Sequence, residues 1–155
     1  MSKRIGVVTG GGDCTGLNAV IRAVAKTSAN HGWECIGVLG GYEGLLEPRR
    51  AIPLDYKTLS GLLPRGGTIL GTASRGKFSA KVGHGESRTL PKELLEGVKE
   101  GMEALGLSAL VSIGGDGSLS IAQQLFEHGI QIVGVPKTID NDLACTELTF
   151  GFVTA

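Results

Sequence analysis

Lys137, Thr138, Asp140 and Asp142 fall within six residues of the run Gly-Val-Pro-Lys-Thr-Ile-Asp-Asn-Asp (residues 134–142), which continues directly from the apolar stretch 130–135. A carboxylate pair beside one lysine suits phosphoryl transfer. It offers a base for an attacking hydroxyl, a magnesium ligand and a positive charge for the moving group. The same residues also read as an Asx-turn, with Asp140 or Asn141 bonding its own backbone and Lys137 solvated. A second segment, Thr9-Gly10-Gly11-Gly12-Asp13-Cys14-Thr15-Gly16-Leu17-Asn18, brings glycines to the start of a helix. Bare backbone and the free N–H groups of a helix start suit a phosphate. Thr15 stands where the dinucleotide fingerprint needs its last glycine, and no Gly-Lys-Ser/Thr follows, so the loop is neither that motif nor a P-loop. A tight strand-to-helix turn is its plain alternative. The third segment is Ile113-Gly114-Gly115-Asp116-Gly117-Ser118. Its glycines place one carboxylate on a turn with little bulk around it, which suits a Mg²⁺–nucleotide, because magnesium keeps several waters and takes few protein carboxylates. A helix cap at Asp116 is the bland reading.

Each of these segments ends an apolar, β-rich run, and the chain between them alternates strand and helix patterns. Strands are expected over Arg4–Thr9, 34–39, 107–113 and 131–135, with a short edge strand over 49–54. Helices are expected over 15–31, 56–62, 91–105 and 118–128. Leu17, Val20, Ile21, Val24 and Ala25 form the apolar face of the first, and Pro91 stands at position N1 of the third. Residues 64–90 are rich in Gly, Ser, Thr, Arg and Lys, too polar for core, and a stretch of that length suggests a functional loop. The fold class is α/β, a doubly wound, mostly parallel sheet in a three-layer sandwich. That architecture places ligands at the carboxyl edge of the sheet, where all three segments lie.

Composition narrows the function classes. With 155 residues, 41% of them hydrophobic, the chain fits one domain with a core. Fifteen basic residues balance fifteen acidic ones, so no net field draws the chain to nucleic acid or anionic lipid. Cys14, Cys35 and Cys145 are widely spaced, form no CxxC pair and read as reduced thiols of a cytoplasmic protein. No apolar stretch approaches the roughly 18 residues that span a membrane. His31 and His128 sit at expected helix ends, where imidazolium favours the dipole.

The three segments, in order, resemble the amino-terminal half of 6-phosphofructokinase. The resemblance rests on residues 9–18 with Ile21-Arg22, Gly41-Tyr42-Glu43-Gly44-Leu45, Arg65-Gly66-Gly67-Thr68 through Gly71, Ser74-Arg75, residues 113–118, and 136–142 followed by Gly151-Phe152. It covers nearly the whole chain. Gly-Gly-Asp-Gly occurs also in the related diacylglycerol and NAD kinases, but Pro-Lys-Thr-Ile-Asp-Asn-Asp does not. The resemblance implies that Asp140 is the general base toward the 1-hydroxyl of fructose 6-phosphate. Thr138 and Asp142 would be its substrate- and metal-site partners, and Asp116 the Mg²⁺ carboxylate. Gly11 and Gly12 would cradle the terminal phosphate, with Gly115, Gly117 and Ser118 also at the nucleotide. Arg75 and Lys137 would supply positive charge, and Tyr42 would lie near the nucleotide.

The resemblance also bears on the donor. Family members that use pyrophosphate commonly carry Asp at the position of Gly117, where a side chain would fill the space of a nucleotide's α-phosphate. They commonly share Lys137 as well, but some ATP-dependent relatives combine the small residue with the lysine, as here. ATP is the expected donor, with pyrophosphate the alternative. Family members are longer than this chain, and later basic residues, partly from a neighbouring subunit, complete their sugar-phosphate site. Residues 1–155 are therefore expected to be a single ATP/Mg-binding domain, truncated before the substrate-completing half and inactive alone. The parent is expected to be a cytoplasmic, glycolytic homo-oligomer, dimer or tetramer. The stretch 76–90 fits the family pattern poorly and takes no role.

Overall fold

Alternation along the first strand sets up a core on both sides of a sheet. In β1 (Arg4–Thr9), Val7 and Val8 are both fully buried, yet they join different apolar clusters, because successive strand side chains point to opposite faces. The computed structural model describes residues 3–72, 76–78 and 89–155. β1 lies at the centre, parallel to both β2 (Glu34–Val38) and β4 (Ala109–Gly114). β5 (Ile132–Thr138) continues parallel to β4, and the two-residue β6 (Phe150–Gly151) runs parallel to β5. The short β3 (Ala51–Pro53) pairs antiparallel with β2, giving the order β3-β2-β1-β4-β5-β6. This is the expected mixed, mostly parallel sheet with its edge strand.

The chain steps from β1 outward to β2, then returns past β1 to β4. Right-handed crossovers in opposite directions put their helices on opposite faces. α1 (Leu17–Asn30) accordingly packs Leu17, Val20, Ile21 and Ala25 against Val7 and Ile113. α3 (Lys92–Ala104) and α4 (Asp116–Glu127) pack Val98, Met102, Ile121 and Leu125 against Val8 and Leu110 on the other face. A short α2 (Tyr56–Leu59) adds Leu59 to the α1 side. The winding reverses between β1 and β4, so their carboxyl ends open the crevice where such sheets take ligands. Register aligns these ends: Thr9 lies opposite Ile113, and Ile113 opposite Val135.

Several boundaries differ from the sequence expectation, and each has a local cause. α1 begins at Leu17 because Gly16, at φ 89°, is left-handed and cannot be its first helical residue. α4 begins at Asp116 rather than 118, so the aspartate is already inside the helix's first turn. β5 runs on through Lys137 and Thr138 because β6, a strand too short to show periodicity, pairs with both residues. Pro91 is the N-cap of α3 and not its first residue. Residues Gly41–Leu45, where the sequence pattern predicts no element, form a 3₁₀ turn. The expectation that 64–90 is too polar for core is corrected by Leu70, Phe78 and Leu90, all buried.

Candidate active site

The loop after β1 and the loop after β4 are locked together by one side chain. Ser118 is buried in the first turn of α4, and a Cβ on Gly10 or on Gly114 would collide with it. The main chain adds a hydrogen bond from Gly10 N–H to the Ile113 carbonyl at 2.9 Å. These two glycines are therefore packing requirements. Gly12 differs, because a Cβ there would meet nothing within 4 Å. Its bare side opens on the cleft and is free for a ligand.

Lys137 ties β5 to the same loop. It is only 6% exposed, and its Nζ donates to the Gly12 carbonyl oxygen at 2.6 Å. The solvated alternative for this lysine is thus not what the structure holds. No carboxylate forms an ion pair with Lys137 among the described residues. A buried ammonium without a counter-charge is costly unless an anion satisfies it. An ammonium has three donors, and one carbonyl uses a single one.

Beyond Lys137 the chain turns largely on neutral side chains, which leaves the Asp140 carboxylate available. Thr138 Oγ1 accepts the Asp140 N–H at 3.2 Å and donates to Asp142 Oδ1 at 3.1 Å. Asn141, in the left-handed region at φ 51°, anchors the loop: its Oδ1 accepts from Thr149 N–H at 2.9 Å and its Nδ2 donates to the Glu147 carbonyl at 3.1 Å. Thr149 Oγ1 donates to the Thr138 carbonyl at 3.0 Å. The turn forms without the Asp140 carboxylate, which is exposed and meets no hydrogen-bond partner among the described residues. Asn141 takes the structural part of the Asx alternative, and Asp140 remains free for chemistry.

These groups line one cavity of about 320 Å³. Gly11 and Gly12 come from the β1 loop, and Gly115, Asp116, Gly117 and Ser118 from the start of α4. Lys137, Thr138, Asp140 and Asp142 come from the end of β5 and its turn. Asp13 and Cys14 also face it, though neither carried a site role in the sequence. Burial raises the Cys14 thiol above its ordinary pKa, an effect that nearby Lys137 partly opposes. A thiol kept protonated is a poor nucleophile.

Two expected residues are not in this cavity. Tyr42 is 3% exposed, sits in the core with its ring 5.6 Å from that of Phe78, and does not line the cleft. Arg75 lies outside the described residues, as do Ser74, Lys81, His84 and Arg88. Two anchors had no assigned role in the sequence. Asn18 is 1% exposed; its Nδ2 donates to the carbonyls of Arg65 and Gly66, each at 3.1 Å, and its Oδ1 accepts from Ile69 N–H at 2.8 Å. Thr9 Oγ1 donates to the Gly71 carbonyl at 2.8 Å. Together they bind the 65–71 loop to the carboxyl end of β1. A buried asparagine in an apolar helix face was the available signal, since such a side chain requires partners.

The donor set fits magnesium held jointly with a phosphate ligand. No group of three or more His, Cys, Asp or Glu side chains able to hold a metal occurs among the described residues. Mg²⁺ does not require one, since it binds through one or two carboxylates plus phosphate oxygens and waters. Asp116 is an exposed carboxylate on the cleft, of the kind this requires.

The family model described as Phosphofructokinase matches residues 4–155. An ATP-dependent 6-phosphofructokinase of Chloroflexus aggregans is 50% identical over 153 residues, which are 99% of this chain and 42% of that protein. A pyrophosphate–fructose 6-phosphate 1-phosphotransferase of Streptomyces coelicolor is 46% identical over 157 residues, covering 98% of this chain and 42% of that protein. Among solved structures, phosphofructokinase from Saccharomyces cerevisiae superposes with a TM-score of 0.84 at 31% identity, over 99% of this chain and 22% of that one. The chain thus spans about two fifths of the length of the curated relatives it matches.

Proposed function

The chain belongs to the phosphofructokinase family, and on that premise we propose that its cleft is the phosphoryl-donor half of an ATP-dependent 6-phosphofructokinase site. In a polypeptide of the relatives' length, the γ-phosphoryl group of ATP passes to the 1-hydroxyl of fructose 6-phosphate, giving fructose 1,6-bisphosphate and ADP. The observation that carries this reading is the buried Lys137 ammonium beside the open face of Gly12, with the free Asp140 carboxylate in the same cavity. A loose phosphoryl transition state asks for position and charge more than for covalent chemistry.

Each residue takes a physical part. Asp140, unencumbered by the turn that carries it, accepts the proton of the attacking hydroxyl. Thr138 holds Asp142 and the Asp140 backbone, and with them orients the sugar. Lys137, and with it Arg75, balances charge on the transferred group. Gly11 and Gly12 present bare backbone to the terminal phosphate, while Gly115, Gly117 and Ser118 bring the start of α4 to the rest of the donor. Asp116 would hold Mg²⁺, which neutralises charge shared by the β- and γ-phosphates. The 155 residues form a single ATP/Mg-binding domain that binds the donor without turning it over. The same proposal makes the enzyme a glycolytic, cytoplasmic homo-oligomer (dimer or tetramer). No helix among the described residues is long and apolar enough to cross a membrane.

Pyrophosphate as donor is the second reading, favoured by Lys137 and by the Streptomyces relative. Gly117 leaves the space a nucleotide needs, which favours ATP. A coupled assay on a polypeptide of the relatives' length, with fructose 6-phosphate and Mg²⁺ and comparing the two donors, decides between them. Turnover with ATP alone is expected, and turnover with pyrophosphate alone would overturn the assignment.

A further inference from the structure

Tyr42 stands behind the cleft, and its hydroxyl is used where the sequence gives no hint of a need. β4 reads Ala-Leu-Val-Ser-Ile-Gly, and its one hydroxyl residue, Ser112, is 1% exposed. A buried hydroxyl among apolar neighbours must find a partner. Ser112 Oγ lies 2.6 Å from Tyr42 Oη, and Tyr42 Oη donates to the Ser118 carbonyl at 3.3 Å. With the phenol proton committed to that carbonyl, the Ser112 hydroxyl donates to the phenol oxygen, and both buried groups are satisfied. Burial keeps Tyr42 protonated well above the usual phenol range, an effect that the Ser112 hydrogen bond partly opposes.

The carbonyl it grips belongs to the residue that locks the two glycine loops. Ser118 fills the notch that Gly10 and Gly114 leave, so the two loops pack closely against the first turn of α4. Tyr42, standing on the 3₁₀ turn that follows β2, reaches the first turn of α4 through the Ser118 carbonyl. We infer that Tyr42 is a positioning residue: through Ser112 and the Ser118 carbonyl it sets the first turn of α4, and so the placement of Gly115, Asp116 and Gly117 for the phosphoryl donor. The inference rests on the proposed donor site. Its consequence for ligand affinity need not follow stability.

Tyr42→Phe alone leaves the Ser112 hydroxyl unpaired, so the variant loses stability as well as the grip on Ser118. Adding Ser112→Ala removes the orphan and returns most of the stability without returning the grip. Two readouts on the 155-residue chain separate the roles. Titration with Mg²⁺ and ATP should show about tenfold weaker binding in both the single and the double variant, the equivalent of ~1.4 kcal/mol. In the unliganded protein, the backbone amide resonances of Gly115, Asp116 and Gly117 should be displaced in both variants. Val98→Ala, a core change away from the cleft, should lower stability and leave both readouts unmoved. Affinity that recovers with stability in the double variant, or amide resonances that coincide with wild type, would overturn the inference. If the wild type binds neither ATP nor pyrophosphate, the donor-site reading fails, and the amide displacements still decide whether Tyr42 sets this turn.

Discussion

Two concavities flank the same strands, and the larger one is chemically the poorer. The groove between α1 and the exposed face of β4 and β5 is about 610 Å³, lined by residues such as Ala23, Val24, Val111, Val133 and Phe150, with His31 as its only ionisable side chain. The cleft at the carboxyl ends of β1, β4 and β5 is about 320 Å³ and gathers Lys137, Asp116, Asp140 and Asp142. Mid-strand residues alternate between two faces, and where a face lacks a helix it is merely apolar. Strand ends are where the backbone turns, so glycines, helix N-termini and charged groups converge there. Size marks the unpartnered sheet face, while charge and bare backbone mark the site.

Substitutions in the two regions should separate sharply. The largest effect is expected at Asp140. Asp140→Asn, measured in a polypeptide of the relatives' length, should reduce kcat by about 10²–10⁴-fold, as loss of a general base does. ATP affinity and thermal stability should stay unchanged, since the turn is built by Thr138 and Asn141. Equal losses in binding and kcat would show that Asp140 holds the loop instead.

Next comes Lys137→Met, which exchanges a buried, unpaired ammonium for an apolar side chain of similar length. Donor affinity should fall by about 10–100-fold, the equivalent of a charge-assisted hydrogen bond of ~1.5–3 kcal/mol. Stability should hold or rise, because replacing a buried charge by an apolar group is often neutral or favourable. Calorimetric unfolding beside a binding titration checks both, and a large stability loss would mean that the bond to Gly12 is chiefly structural.

Thiol chemistry gives a smaller and finer contrast. Desolvation pushes the Cys35 thiol up to about 11 from an ordinary 9.0. The folded state therefore holds this proton more tightly than the unfolded chain. That contribution to stability is complete below pH 9 and is lost as pH rises through about 11. At pH 8, iodoacetamide should modify exposed Cys145 first, Cys14 more slowly and Cys35 only on unfolding. Bound ATP should slow Cys14, which lines the cleft, and leave Cys145 unaffected. The smallest effect belongs to the groove. Val133 is 60% exposed, so Val133→Thr should shift stability within about 0.5 kcal/mol and leave donor binding unchanged.

The sheet and the three polar strand ends were legible because each signal is local. An apolar run that breaks into glycine and charge needs no distant residue to be recognised, and such breaks end β1, β4 and the apolar part of β5. What the sequence hid was contact between segments far apart in the chain. Lys137 follows a proline at the end of an apolar run and reads as solvated or as ligand-facing. Only the placement of β1 across the crevice, 125 residues away, buries it on Gly12. Tyr42 follows two glycines and is expected from the resemblance near the nucleotide, but on its 3₁₀ turn its hydroxyl meets buried Ser112. β6 is two residues long and shows no period, yet its pairing carries β5 through Thr138.

The most direct test of the account is a titration of the 155-residue chain with Mg²⁺ and ATP, followed through its backbone amide resonances. Shifts should concentrate at Gly11, Gly12, Gly115 to Ser118 and Lys137, with Ala23, Val24 and Val133 of the apolar groove unmoved. Shifts confined to the groove, with the strand-end glycines and Lys137 silent, would contradict it.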